Sequence, residues 1–357
     1  MSEPAASRSI PTGVDDLDAG WLTAVLARHG MGTVTAVTAT PIGTGQVADS
    51  VRLALTWNPP ESGPPTLVAK VTAADETSRA AAAATQTYEV EVGFYSDLAE
   101  ALPVRSPRCY HAAYDEKTLG YAIVLEDLAP AEQGDQIAGC SADEAEAALD
   151  ELAQLHAPRW GDPSLNELAW LARHSDAYPD ELAVLVSLML PGFVERYGPR
   201  LAPEVVALAE RFVPRVASYI RAQEPPLTIV HGDFRVDNLL FGRERVCVVD
   251  WQTVALGPGL GDVAYLLGAS LPTDVRRVEE KRLVRSYHER MRTLGVELEW
   301  DRCWADYRRY TFGGLVMAII ASMIVGRTDR GDDMFVAMVE RHGLHALDLG
   351  SEALIPA

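Results

Sequence analysis

Apolar and polar positions change their spacing about a third of the way along the chain. Val51 to Trp57 alternates apolar with polar residues, the two-residue period of a strand with one buried face. Val34 to Thr40, rich in Val and Thr, and Thr66 to Thr72 read as further strands. Between the first and last of these, Asn58 to Pro65 carries four prolines and a glycine, a turn that makes Val51–Trp57 and Thr66–Thr72 a hairpin. Ahead of them, Asp18 to His29 places Leu22, Val25 and Leu26 on one helical face and stops at Gly30. A helix from about Ser78 to Leu98 follows, then extended segments at Arg105 to His111 and Gly120 to Leu125.

Beyond Leu128 the spacing becomes helical. Ser141 to His156 opens with Ser141 at the N-cap and Glu144 three residues on, the pattern of a capping box. Helical periodicity recurs over Glu181–Tyr197, Pro203–Gln223, Asp274–Leu294 and Asp301–Gly326. A β-rich first third before a helix-rich remainder predicts an α+β chain of two lobes, residues 1–125 and 126–357.

One stretch of the second lobe breaks the helical texture. An apolar strand, Leu227 to Val230, runs into His231-Gly232-Asp233-Phe234-Arg235-Val236-Asp237-Asn238. A strand pair, Leu239–Phe241 and Val246–Val249, ends in Asp250-Trp251-Gln252. If the hairpin brings its two ends together, Asp233, Asn238 and Asp250 present hard oxygens at one point. Phosphoryl transfer asks for that arrangement. Metal ions neutralise charge on the phosphoryl oxygens, and a carboxylate orients the attacking hydroxyl. Carboxylate and amide oxygens suit Mg²⁺. Asp237 is a rival ligand within the same loop, read as support for the turn. Asp262, after Gly257-Pro258-Gly259-Leu260-Gly261, is placed to cap the helix that follows.

His231-Gly232-Asp233 followed by Asn238, with Asp250 after the hairpin, resembles the catalytic and metal-binding loops of the aminoglycoside-phosphotransferase-like superfamily of small-molecule kinases. Within it, Glu91 to Tyr95 and Arg105 to Tyr110 look like the ecdysteroid-kinase-like and choline-kinase-like branch. The resemblance spans roughly Val34 to Leu347 and is densest over Val230 to Leu267. It implies a protein-kinase-like two-lobed fold, ATP or GTP as co-substrate, Mg²⁺, and a small-molecule hydroxyl as acceptor. Asp233 would then be the catalytic base, Asn238 and Asp250 the metal ligands, and His231 and Asp262 supports of the loop.

The first lobe carries matching signals. Leu67-Val68-Ala69-Lys70 resembles the kinase strand whose lysine contacts the α- and β-phosphates. Its carboxylate partner must come from the next helix, where Glu89 and Glu91 compete. At about 100° per residue the two point apart. Glu89 shares a face with Gly93, Ser96 and Glu100, whereas Glu91 borders the stripe of Tyr88, Val92, Tyr95 and Leu98, so Glu91 is expected inward. Gly43 and Gly45 would form the phosphate-covering loop, where glycine admits backbone N–H groups close to oxygen. Backbone groups near Glu126 and Leu128 would meet the base. His156 reads as a packed histidine at a helix end.

Composition narrows the field. Hydrophobic residues make up 48% of 357, enough for a substantial core. A net charge of −20 disfavours nucleic-acid binding, which needs a basic surface, and suits steering of a cationic acceptor as well as plain solubility. Cys109, Cys140, Cys247 and Cys303 form no metal or redox spacing. The chain shows no apolar leader at Met1–Pro11, and Phe312–Gly326 is too short to span a membrane, so a cytoplasmic protein with reduced thiols is expected. Two other functions are compatible with the fold: a nucleotide-binding regulator that transfers nothing, and a nucleotidyl transferase. Intact Lys70, Glu91, Asp233, Asn238 and Asp250 speak against the first.

Overall fold

A computed structural model of the chain describes residues 9–43, 47–172, 175–242 and 245–356. They fall into two units, one of Met1–Ala101 with Ser106–Pro130, the other of Leu102–Arg105 with Ala131–Ala357.

The first unit runs α1 (Ala19–Leu26), β1 (Thr33–Pro41), β2 (Ala48–Asn58), β3 (Thr66–Thr72), α2 (Glu76–Ala84), α3 (Thr87–Gly93), β4 (Cys109–Asp115) and β5 (Gly120–Glu126). The strands form one antiparallel sheet in the order β1-β2-β3-β5-β4. On β3 the pleat sends Leu67, Ala69 and Val71 into a core with Trp21, Leu22 and Leu26 of α1, and with Val51, Leu53 and Trp57 of β2. Lys70 therefore emerges on the opposite face.

The single helix expected over 78–98 is broken. Asp75 caps α2 by accepting from Ser78 N, and Gln86 turns left-handed at φ 56° before α3 begins. From Phe94 to Leu98 the backbone widens into a π turn. The break precedes Thr87, so it leaves the relative phase of Glu89 and Glu91 intact.

The second unit is mostly helical: α4 (Ala142–His156), α5 (Tyr178–Tyr197), α6 (Pro203–Phe212), α7 (Val216–Arg221), α8 (Gly259–Ser270), α9 (Thr273–Thr293), α10 (Trp300–Arg309), α11 (Gly313–Ile324) and α12 (Asp329–Asp348). The Ser141–Glu144 capping box is formed in both directions. The periodic run 203–223 divides at Pro214, which cannot donate to a continuing helix, and a 3₁₀ turn over Val213–Arg215 joins α6 to α7. The run 301–326 divides likewise at Tyr310–Phe312. Helix α8 is buried along most of its length and packs on α4, α10, α11 and α12. Short strands lie among the helices: β6 (Glu132–Gln133), β8 (Leu239–Phe241) and β9 (Val246–Val248) in one group, β7 (Thr228–Val230) with β10 (Ala255–Gly257) in another.

Among the described residues, no helix is long and apolar enough to cross a membrane. The four cysteines are free thiols, with Cys140, Cys247 and Cys303 buried.

Candidate active site

Strand β7 delivers the chain into the loop at His231. The His231 ring is fully buried. Its Nε2 lies 3.0 Å from Val249 O and its Nδ1 3.3 Å from Asp233 N. Those partners assign the tautomer: Nε2–H donates to the carbonyl and Nδ1 accepts from the amide. One ring thus ties the loop to the chain just ahead of Asp250. Gly232 sits at φ 81°, and a Cβ there would come within 2.6 Å of Thr253 O, so this turn requires glycine.

Asp262 does not cap α8. The helix starts at Gly259, with Pro258 at the N-cap, because the Gly-Pro-Gly turn brings the chain into helical geometry four residues early. Asp262 points back instead. Its carboxylate accepts from His231 N at 2.6 Å and Gly232 N at 3.0 Å, and lies 3.3 Å from His156 Nε2. His156 is fully buried and also reaches Tyr287 OH at 2.8 Å, so it is a packed residue of the loop's support.

Three donor atoms surround the Asp233 carboxylate or its backbone. Tyr265 OH donates to Oδ1 at 2.7 Å. Arg235 Nε approaches both oxygens, at 3.1 and 3.2 Å. Asn238 Nδ2 donates to Asp233 O at 2.8 Å and to Oδ2 at 3.0 Å. Arg235 Nη1 also donates to Asp237 Oδ2 at 2.7 Å, and Asp237 Oδ1 accepts from Gln136 N, so Asp237 is spent on the turn. Burial works against the Arg235 charge, but Asp233, Tyr265 and Asp237 outweigh it and hold the guanidinium above the ordinary arginine value. Burial, then the Asp233 charge, raises the Tyr265 phenol well above its usual value. Arg235 and Tyr265 escaped the sequence reading. Arg235 lay inside the motif and could have been suspected as the one cation between two aspartates, while nothing local marks Tyr265.

Asp250 follows β9, and Val249 N donates to Asn238 O at 3.0 Å, so the two loops run side by side. Asp250 adopts φ 66°, left-handed for a residue with a Cβ, a conformation that Asp tolerates better than most and that clusters at functional sites. Trp251 is fully buried beneath it, with Nε1 donating to Val248 O at 3.2 Å. The donor set fits Mg²⁺. Asn238 turns its amide nitrogen to Asp233 and hence its oxygen away, and Asp250 adds a carboxylate. Among the described residues, no group of three or more His, Cys, Asp or Glu could form an all-protein metal cage. Mg²⁺ asks for less, since one or two oxygens suffice when waters and phosphates complete the octahedron.

In the first unit, Lys70 Nζ lies 2.7 Å from Glu91 Oε1, and Tyr121 OH donates to Glu91 Oε2 at 2.6 Å. The Glu91 carboxylate is fully buried, so both bonds offset a large desolvation cost. Glu89 takes a bond from Gln86 Nε2 instead. Tyr121 was not anticipated; it stacks on Tyr88 with ring centroids 4.2 Å apart. Gly43 adopts φ 70° with open space where a Cβ would lie. Gly45 falls outside the described residues. Glu126 closes β5, its N–H donating to Arg108 O at 2.9 Å, and Leu128 is partly buried just beyond it.

Three solved structures share this fold. Choline kinase from Cryptosporidium parvum superposes with a TM-score of 0.56 at 11% identity, covering 88% of this chain and 89% of its own. Ethanolamine kinase from Plasmodium vivax gives 0.53 at 9% identity, covering 85% and 81%. A Ralstonia eutropha protein with a provisional aminoglycoside phosphotransferase designation gives 0.52 at 18% identity, covering 93% and 98%. The fold is therefore the α+β, protein-kinase-like fold of these enzymes. Among curated proteins, mouse acyl-CoA dehydrogenase family member 10 is 51% identical over 41 residues, 11% of this chain and 4% of that protein's length. The profile of the phosphotransferase enzyme family, which includes the aminoglycoside phosphotransferases, matches residues 43–302. The chain belongs to that family.

Proposed function

We propose that the protein transfers the γ-phosphoryl group of ATP, or GTP, to a hydroxyl of a small-molecule acceptor with the help of Mg²⁺. The observation that carries this reading is the wiring of Asp233 to Asn238. One amide nitrogen bonds the carboxylate and leaves the amide oxygen for a cation, so a base and a metal ligand are oriented by a single contact.

In this reading Asp233 accepts or orients the proton of the attacking hydroxyl, and Arg235 pairs with its carboxylate. Asn238 and Asp250 would hold Mg²⁺, whose bound charge neutralises the phosphate oxygens. His231 and Asp262 fix the loop. In the first unit, Lys70 contributes the ammonium for the α- and β-phosphates and Glu91 holds it in place. Gly43 would lie in the phosphate-covering loop, and the same part expected of Gly45 falls outside the described residues. Backbone groups near Glu126 and Leu128 serve the base.

The test is a panel of alcohols assayed for acceptor-dependent ADP release from Mg·ATP. Cationic amino alcohols come first, because a chain of net charge −20 attracts them. Growth of a γ-labelled product with one alcohol supports the reading. Transfer of α-label would make the protein a nucleotidyl transferase. Tight nucleotide binding with no transfer to any hydroxyl, water included, would make it a regulator.

A further inference from the structure

We propose that Tyr265 is a positioning residue for phosphoryl transfer, its hydroxyl fixing the Asp233 carboxylate from the buried frame of the second unit. The proposal rests on the role given to Asp233 above. Of the donors on that carboxylate, Arg235 and Asn238 belong to the same loop and move with it. Tyr265 comes from α8, the most deeply buried helix of the unit.

Helix α8 in fact holds the loop twice. Asp262 takes the backbone N–H groups of His231 and Gly232, and Tyr265, three residues later on the same helical face, takes the Asp233 side chain. A rigid element thus sets both the path of the loop and the direction of its carboxylate. The phenol is the donor, since burial and the neighbouring charge keep it protonated.

Tyr265 is held in turn. The fully buried His342 ring stands edge-on to it, with centroids 5.2 Å apart. That ring occupies space two glycines leave open: a Cβ on Gly314 would meet His342 Nε2 at 2.0 Å, and one on Gly268 would meet His342 Nδ1 at 2.7 Å. Both ring nitrogens lack a hydrogen-bond partner among the described residues. Leaving them so costs stability, and packing against Tyr265 is the contact this arrangement secures.

The experiment compares Tyr265→Phe, Asp233→Asn and the double variant, following ADP release from Mg·ATP with water as the only acceptor, together with KM for ATP and Tm. Tyr265→Phe should lower kcat about tenfold with KM and Tm unchanged, because it misplaces a catalytic group and leaves the nucleotide contacts alone. The double variant should fall no further than Asp233→Asn, since no carboxylate remains to be aimed. Wild-type turnover in Tyr265→Phe beside a dead Asp233→Asn overturns the role of Tyr265 and spares that of Asp233. Wild-type turnover in Asp233→Asn overturns the reading of Asp233 itself. A Tyr265→Phe loss that multiplies with Asp233→Asn, or that tracks a fall in Tm, marks the hydroxyl as structural and also overturns the proposal.

Discussion

Lys70 and Glu91 meet at 2.7 Å across 21 residues of sequence, the lysine on β3 and the glutamate on α3. The pair is lopsided: Glu91 is wholly buried and Lys70 keeps 14% of its side-chain surface. Tyr121 supplies Glu91 with its second partner. Removing Glu91 takes the buried carboxylate away from a partly desolvated ammonium. Glu91→Ala should therefore cut kcat/KM at least about tenfold, roughly 1.4 kcal/mol of transition-state stabilisation. Glu89→Ala removes only a bond to Gln86 at the surface and should stay within about 0.5 kcal/mol. Steady-state kinetics on both variants decide the matter, and equal losses would show the helical phase to be irrelevant.

Asp233→Asn keeps the shape of the side chain and removes its charge. It should lower kcat by about 10²–10⁴-fold, the range for a positioned general base. Nucleotide affinity should hold, because Asp233 serves the acceptor. A matching loss of ATP affinity in titration calorimetry would move Asp233 to the nucleotide side.

Asp250→Ala and Asn238→Ala each delete one hard oxygen. Both should weaken Mg·ATP binding, and Asp250→Ala more, because it removes a charge as well as a ligand. Calorimetry at varied Mg²⁺ separates them. Unchanged binding in Asp250→Ala would contradict the metal assignment.

Two backbone positions make stability predictions independent of activity. Gly232→Ala introduces a Cβ at φ 81° within 2.6 Å of a carbonyl oxygen. It should cost about 2 kcal/mol or more in denaturant unfolding. At Asp250, φ 66° favours glycine over alanine, so Asp250→Gly should be more stable than Asp250→Ala by about 1 kcal/mol. Both should be inactive. Equal stability of the two would mean that the left-handed turn relaxes.

Two histidines, His342 fully buried and His111 partly buried, contribute to the response to acid. Burial lowers His342 to about 3, and His111 to about 4. Both are neutral in the folded chain, while the unfolded chain takes up protons below about 6.5. Stability is thus fully present above that value and falls as pH drops through the window down to about 4, by up to about 1.4 kcal/mol per pH unit for each group. Unfolding midpoints measured between pH 7 and 4.5 should show this slope. His342→Leu should flatten it, and an unchanged slope would show that His342 does not stay neutral.

Much of this molecule was legible in local pattern. The two-residue period marked β2 and β3, prolines marked their turn, and Ser141 with Glu144 marked the start of α4, because each depends on neighbours in the chain. The preference for Glu91 over Glu89 needed only the angle per residue on one helix. Tertiary structure decided what connects distant segments. Tyr265 reaches Asp233 over 32 residues, Tyr121 reaches Glu91 over 30, and Asp262 meets His156 over 106. Periodicity reports which face of an element is buried and says nothing about which polar atom waits on the other side. The break at Gln86 was hidden for a related reason. The chain has no glycine or proline there, and Gln86 takes a left-handed conformation that local preference alone would not choose.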